Sequence, residues 1–185
     1  MQIKKKALVI FITALILILI GVMIMKNAEN ANGKSTQVLL TTTQGNIIIE
    51  LDSKMPVTAG NFETLVNKGF YDGIIFHRVI FGFMIQGGDP TGTGTGGPGY
   101  TIKDEFSLGN TNTRGTISMA NAGPNTGGSQ FFINVADNTF LDDKHPVFGR
   151  VVQGMDVVDS IANTPRDAND RPLKEVRIIK ANLQA

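Results

Sequence analysis

From Gln37 onward the apolar residues fall in short runs cut apart by glycine-bearing turns. A chain written this way cannot bury itself as a helical bundle, which needs apolar positions at three- and four-residue spacing over long stretches. It has to bury itself as a sheet. Val38-Leu39-Leu40-Thr41-Thr42-Thr43 is apolar and β-branched, Gly45-Asn46 is a turn signal, and Ile47 to Leu51 returns the chain, so this segment is expected to form a hairpin. Further strands are expected at Ile74–Val79, Met84–Gly87, Thr116–Met119, Gln130–Asn134, Val147–Val152 and Val176–Ala181. Helical spacing occurs in only two places. Pro56 opens one helix, with Phe62, Leu65 and Val66 on one face and Gly69 closing it, and Met155 to Ile161 forms another. The expected fold is mainly β: a closed antiparallel barrel with helical caps and no internal repeat.

The N-terminus has a different composition. Met1 to Lys6 is a basic leader, and Ala7 to Met25 then runs 19 residues without a charge. As a helix this run would span roughly 28 Å, close to the ~30 Å hydrocarbon core of a bilayer. It is longer than the core of a usual signal peptide, and Met23-Ile24-Met25-Lys26-Asn27 offers no small-x-small cleavage site. The expectation is one transmembrane helix through residues 7–25, or a signal segment if the run is cleaved. The lysines at 4–6 would keep the leader (1–6) cytoplasmic. The protein would then be a single-pass cell-membrane protein with its folded domain on the extracytoplasmic face, or secreted after cleavage. Residues 26–36, small and polar, read as a flexible tether, and residues 37–185 as the folded domain.

Composition excludes several kinds of chemistry. There is no cysteine, which removes disulfides, thiolate nucleophiles and lipid attachment. Five of the 17 basic and one of the 16 acidic residues precede Ser35, leaving 12 and 15, a net −3 for the domain, so nucleic acid is not an expected partner. The two histidines, His77 and His145, show no metal-ligand spacing, and no cofactor is expected. Thr91 to Gly99 is rich in glycine, but no Gly-Lys-Ser/Thr follows, so it reads as a surface loop rather than a phosphate cradle. Gly127-Gly128-Ser129-Gln130 is not the Gly-x-Ser-x-Gly of a serine hydrolase.

Two stretches carry a more specific signal. Phe76 to Asp89 reads Phe-His-Arg-Val-Ile-Phe-Gly-Phe-Met-Ile-Gln-Gly-Gly-Asp, and Ser118 to Phe132 reads Ser-Met-Ala-Asn-Ala-Gly-Pro-Asn-Thr-Gly-Gly-Ser-Gln-Phe-Phe. Together they resemble the core signature of the cyclophilins, a family of peptidyl-prolyl cis/trans isomerases. The resemblance covers roughly Val38 to Leu183 and is nearest to the compact prokaryotic-type members. It implies a closed eight-stranded antiparallel barrel capped by two helices, acting on proline-containing polypeptides. Joined to the anchor, it implies a monomeric, membrane-tethered isomerase assisting the folding of exported proteins. The competing reading is a tethered proline-peptide binding module, or holdase, with little turnover.

The resemblance also assigns residues. Arg78 matches the arginine that contacts the prolyl amide, and with Gln86 it forms the expected catalytic pair. Phe83, Met84, Phe132 and Leu141 match the proline pocket. Gln130 matches a residue that orients the arginine and the substrate backbone, and Asn121, beside Ala120, matches a position whose backbone pairs with the peptide. His145 matches a groove residue. His77 is counted with the substrate-binding set, although the barrel and its edge are its more natural place. Phe140 stands where many eukaryotic members carry tryptophan. A phenyl ring cannot donate the hydrogen bond that the indole gives to cyclosporin, so that cyclic peptide is expected to bind weakly.

Overall fold

The computed structural model describes residues 35–184. The expected leader 1–6, membrane segment 7–25 and most of the tether 26–36 lie outside the described residues. Ser35–Ala185 forms one compact unit. Among the described residues no helix is long and apolar enough to cross a membrane.

The chain forms β1 (Gln37–Thr42), β2 (Gly45–Leu51), α1 (Thr58–Asn67), β3 (Arg78–Ile80), β4 (Met84–Gly87), β5 (Thr116–Met119), β6 (Phe131–Asn134), a 3₁₀ turn (Thr139–Leu141), β7 (Val147–Gln153), α2 (Met155–Ala162) and β8 (Ile178–Gln184). The hairpin of β1 and β2 turns at Thr43-Gln44 rather than at Gly45-Asn46, with Thr42 opposite Gly45. A side chain decides the turn. The Thr42 hydroxyl donates to the Gly45 carbonyl at 2.7 Å and accepts from the Gln44 N–H at 3.1 Å. Glycine still has its use, since Gly45 sits at φ 139° with the Val157 side chain against it. In α1 the Val57 and Thr58 N–H groups, left free at a helix start, both donate to the Glu105 carboxylate at 3.0 and 2.9 Å.

All eight strands lie in one antiparallel sheet in the order β3-β4-β6-β5-β7-β2-β1-β8. Alternate residues face inward, so Val38, Leu40, Ile47, Ile49, Val79, Ile85, Ile117, Phe131 and Ile133 are buried. At the centre, Phe62 of α1 packs on Tyr71, Phe131 and Phe148, with ring centroids 4.9, 5.4 and 5.3 Å away. Buried in this cluster, the Tyr71 hydroxyl donates to the Ser129 carbonyl at 3.1 Å.

The expected closed barrel is corrected by this order. The sheet curls, but its edge strands β3 and β8 do not pair as a ladder. Short of that, residues 73–76 meet residues 176–178 around an isolated bridge, Ile75 to Arg177, where the Phe76 N–H donates to the Val176 carbonyl at 2.9 Å and the Ile178 N–H to the Ile74 carbonyl at 2.8 Å. The outer edge of β3 is taken by other groups, because the Val79 N–H donates to the carbonyl of Asp170, in the loop after α2. The expected strand Ile74–Val79 is correspondingly short, with regular pairing only from Arg78 to Ile80.

Candidate functional site

The register of the sheet sets the geometry of the site. Arg78 on β3 lies opposite Gln86 on β4, and Gln86 lies opposite Phe132 on β6. Ile80, Met84 and Asn134 form the next row on the same face. The intervening residues Val79, Ile85, Phe131 and Ile133 belong to the core. Alternation therefore forces Arg78, Gln86, Met84 and Phe132 onto the face of the sheet that points away from the core. Arg78 keeps 45% of its side chain exposed there, while Met84 and Phe132 are buried by the segments that cover this face.

Two loops build the walls. On one side, the 3₁₀ turn brings Phe140 onto Phe83, with ring centroids 6.0 Å apart and planes tilted by 15°. Phe140 is 67% exposed, so it forms a rim and not a floor. Leu141, half-buried in the same turn, accepts the His145 N–H at 2.9 Å. The His145 ring then stands edge-on to Phe132 at 5.4 Å, and its Nδ1 lies 3.1 Å from the Met119 carbonyl. On the other side runs the glycine-rich loop. Gln86 Nε2 donates to Gln130 Oε1 at 3.0 Å, and Gln130 Nε2 donates to the carbonyls of Gly94 and Gly96 at 3.0 and 2.9 Å. The Ala120 N–H donates to the Gln130 carbonyl at 3.0 Å, and Asn121 Nδ2 donates to the Lys144 carbonyl at 2.7 Å. Gln86, Ala120, Asn121 and Gln130 line a cleft of about 390 Å³ with Gly94–Pro98 and Tyr100.

His77 is not brought to this face. It precedes Arg78, and its side chain lies inside, 7% exposed, with neither ring nitrogen hydrogen-bonded to protein. Burial lowers its pKa, Asp89 opposes this, and Arg171 and Arg78 reinforce it. A neutral ring in that setting packs against the glycine-rich loop near Gly94. The structure thus separates His77 from the other residues expected to bind substrate.

Two features of the site are not expected from the sequence. The first is Asp89, 1% exposed, whose carboxylate holds the glycine-rich loop. Its Oδ1 accepts from the Thr91 N–H and hydroxyl at 2.7 and 2.8 Å, and its Oδ2 from the N–H groups of Thr93, Gly94 and Gly96 at 3.1, 2.6 and 3.1 Å. Burial pushes this carboxyl up, but the Thr91, Gly96 and Gly94 hydrogen bonds outweigh it and bring the pKa down to about 2. An Asp followed by Thr-Gly repeats is the available signal, since a short carboxylate readily collects the N–H groups of a turn. The second is a buried asparagine network. Asn138 Nδ2 donates to the Phe83 carbonyl at 2.9 Å and to Asn134 Oδ1 at 2.8 Å. Asn112 Nδ2 donates to Asp142 Oδ1 at 3.0 Å and to the His145 carbonyl at 3.2 Å, and Ser118 donates to Asn112 Oδ1 at 2.7 Å. This network ties Phe83, the 3₁₀ turn and His145 into one wall. No local sequence signal marks it.

Comparison with known proteins bears on the fold and the family. The sequence profile of the family described as cyclophilin type peptidyl-prolyl cis-trans isomerase/CLD matches residues 37–183. Peptidyl-prolyl cis-trans isomerase-like 1 of Gibberella zeae is 49% identical over 154 residues, which is 80% of this chain and 95% of that protein. Peptidyl-prolyl cis-trans isomerase ppi1 of Schizosaccharomyces pombe is 51% identical over 149 residues, 78% of this chain and 96% of that protein. A crystal structure of a Cryptosporidium parvum cyclophilin type peptidyl-prolyl cis-trans isomerase superposes with a TM-score of 0.79 at 36% identity, covering 82% of this chain and 99% of that one. The same protein in the presence of the dipeptide Ala-Pro gives 0.78 at 37%, covering 80% and 99%. The relatives named here are eukaryotic, and none is of the expected prokaryotic type. They also correct the expected location. The match takes up 95–96% of the two fungal proteins and leaves them no room for a membrane anchor. No described helix of this chain could serve as one. Placement at a cell membrane with the domain outside is therefore not retained.

Proposed function

The chain belongs to the cyclophilin-type peptidyl-prolyl cis-trans isomerases, an assignment that makes it an X–Pro isomerase, and we propose that it turns over its substrate on the Arg78–Gln86–Phe132 row. The observation that carries this reading is that one register places a cation, an amide and an apolar floor side by side on the outward face. The reaction breaks no covalent bond. Resonance gives the X–Pro amide a rotation barrier of ~20 kcal/mol, and a catalyst has only to favour the twisted amide over both planar forms. In the twisted state the prolyl nitrogen pyramidalises and becomes basic. Arg78, always charged and planar, presents donors to that nitrogen. Phe83, Met84, Phe132 and Leu141 hold the proline ring, with His145 beside Phe132. Gln86 and Gln130 keep the polar side of the site in register, and Ala120 and Asn121 offer backbone to an extended peptide. The structure of the Cryptosporidium protein in the presence of the dipeptide Ala-Pro supports a proline-containing ligand for this pocket. Nothing in this arrangement calls for a metal or cofactor.

The test is the cis-to-trans rate of a proline tetrapeptide with the full chain, before and after chelator. Catalysis unchanged by chelator supports the reading. Tight peptide binding without rate enhancement would replace it with a binding module, and loss of the rate with chelator would refute the metal-free mechanism.

Phe140→Trp is expected to tighten cyclosporin binding while leaving peptide turnover about as it was. The exposed ring on the pocket rim, stacked on Phe83, has room for an indole whose N–H can donate. One neutral hydrogen bond is worth about 0.5–1.5 kcal/mol net, a few-fold to roughly tenfold in the inhibition constant. Inhibition titrations of both proteins check it, and equal constants would show that Phe140 does not take the tryptophan's part.

A further inference from the structure

We infer that Asp170 is a positioning residue that sets the orientation of the Arg78 guanidinium, an inference that rests on the catalytic reading of Arg78. The loop between α2 and β8 contains a small hairpin. Arg166 bridges Pro172, the Leu173 N–H donates to the Pro165 carbonyl at 2.8 Å, and the Asp167 N–H donates to the Arg171 carbonyl at 2.8 Å. Asp167 closes the tip, its Oδ1 accepting the N–H groups of Asn169 and Arg171 at 2.8 and 2.9 Å. Asp170 sits on that tip at φ 62°, a left-handed conformation that few side chains other than Asn and Asp adopt readily.

The tip is docked on the site at three points. The Asp170 carbonyl accepts the Val79 N–H at 2.8 Å, which fixes the hairpin to the open edge of β3 one residue from Arg78. The Asp170 carboxylate has Oδ2 3.6 Å from Arg78 Nε, and Oδ1 3.2 Å from Arg166 Nε. The next residue, Arg171, donates to the Gly92 carbonyl at 2.8 Å in the glycine-rich loop. One turn therefore braces the arginine and, beside it, the loop that holds Gln130. The ion pair engages the Nε edge of the guanidinium, which leaves the two Nη groups as the donors free to meet a prolyl amide. Arg78 is 45% exposed on an edge strand of three residues, and its partner across the sheet, Gln86, is committed to Gln130. Without the carboxylate its long side chain would sample several rotamers, and each turnover would have to wait for the productive one.

The decisive experiment is a double-mutant cycle in the full chain. Asparagine keeps the left-handed backbone and nearly the shape of aspartate, so Asp170→Asn removes the charge and turns one acceptor oxygen into a donor, while the docking through the Asp170 carbonyl is kept. Its kcat is expected to fall about three- to tenfold with KM and melting temperature little changed. In an Arg78→Ala background the same substitution is expected to cost nothing further, measured as the residual exchange rate at high enzyme concentration. Asp170→Gly, equally at ease at this φ, should reproduce Asp170→Asn and replaces it if the asparagine variant does not fold. An unchanged kcat, a loss confined to KM, or an equal fold-loss in both backgrounds would overturn the inference. A wild-type rate for Arg78→Ala alone would overturn the catalytic reading beneath it, and the single variant shows that separately.

Discussion

Arg78→Ala is expected to lower the turnover of an X–Pro peptide by about tenfold or more, equivalent to ~1.4 kcal/mol or more of barrier, while the thermal melt stays close to that of the parent. The two effects separate because of where the residue sits. Its side chain lies on the outward face and keeps 45% of its surface in solvent, so little packing is lost on truncation. Its ion pair, with Asp170, is half-exposed, and such pairs contribute about 0–1 kcal/mol to stability. In the proposed mechanism, by contrast, its charge acts on a state that exists only during rotation, so its removal appears in the rate and not in the ground state. Arg78→Lys should fail nearly as badly. An ammonium restores the charge but not the planar fork, which uses one edge for Asp170 and the other for substrate. Rates by protease-coupled assay or exchange spectroscopy, alongside calorimetry, check both claims. A near-normal rate for either variant would remove Arg78 from the catalytic role, and a large fall in melting temperature would make it a structural residue instead.

How far the sequence could be read depended on whether an interaction was local. Met84–Gly87 and Thr116–Met119 fall where the pattern places them, because runs bounded by glycine or turns have little choice of register. Gly69 ends α1 at φ 66°, as expected of glycine after a helix. The turn of the first hairpin was misplaced by two residues, since the Thr42 hydroxyl competes with the glycine signal. Closure of the sheet was not legible at all. It depends on whether the edge of β3 meets β8, and a carbonyl some ninety positions along the chain, at Asp170, takes that edge first. The site divides in the same way. The resemblance names Arg78, Gln86, Met84 and Phe132, and sheet alternation explains why they share a face. His77 falls on the other face because successive residues of an extended segment alternate. Asn112, Asn134 and Asn138, read singly, are turn formers. Only the fold makes them the buried support of Phe83 and His145.

Asp89→Asn is expected to be the most damaging isosteric change in the domain, lowering stability and activity together. The carboxylate accepts five hydrogen bonds within one loop, three of them backbone N–H groups on Oδ2 alone. Asparagine can present its oxygen to only one of the two sets, and its NH₂ group must then face donors, leaving buried N–H groups without acceptors at about 1–3 kcal/mol each. The lowered pKa expresses the same hydrogen bonds as a dependence on pH. A carboxyl near 3.8 in the unfolded chain and about 2 in the folded one contributes stability that is fully present above pH 3.8. That stability is lost as pH falls through 2, and it amounts to about 2 kcal/mol at neutral pH. A loss of about 3 kcal/mol corresponds to a fall of roughly 6–12 °C in melting temperature for a domain of this size. Activity should fall with it, because the loop carbonyls of Gly94 and Gly96 hold Gln130, and Gln130 holds Gln86 beside Arg78. Well below the variant's melting point, where it is still folded, the rate should already be down about tenfold, since misplacing a positioning group costs rate without unfolding the chain. The parent's stability advantage over the variant should also shrink between pH 4 and pH 2, as Asp89 takes up its proton. Melting curves across that range, with rates measured on folded protein at neutral pH, check the argument. An advantage that does not change with pH would mean that the carboxylate's charge does not hold the loop, and a normal rate would mean that the loop does not hold Gln130.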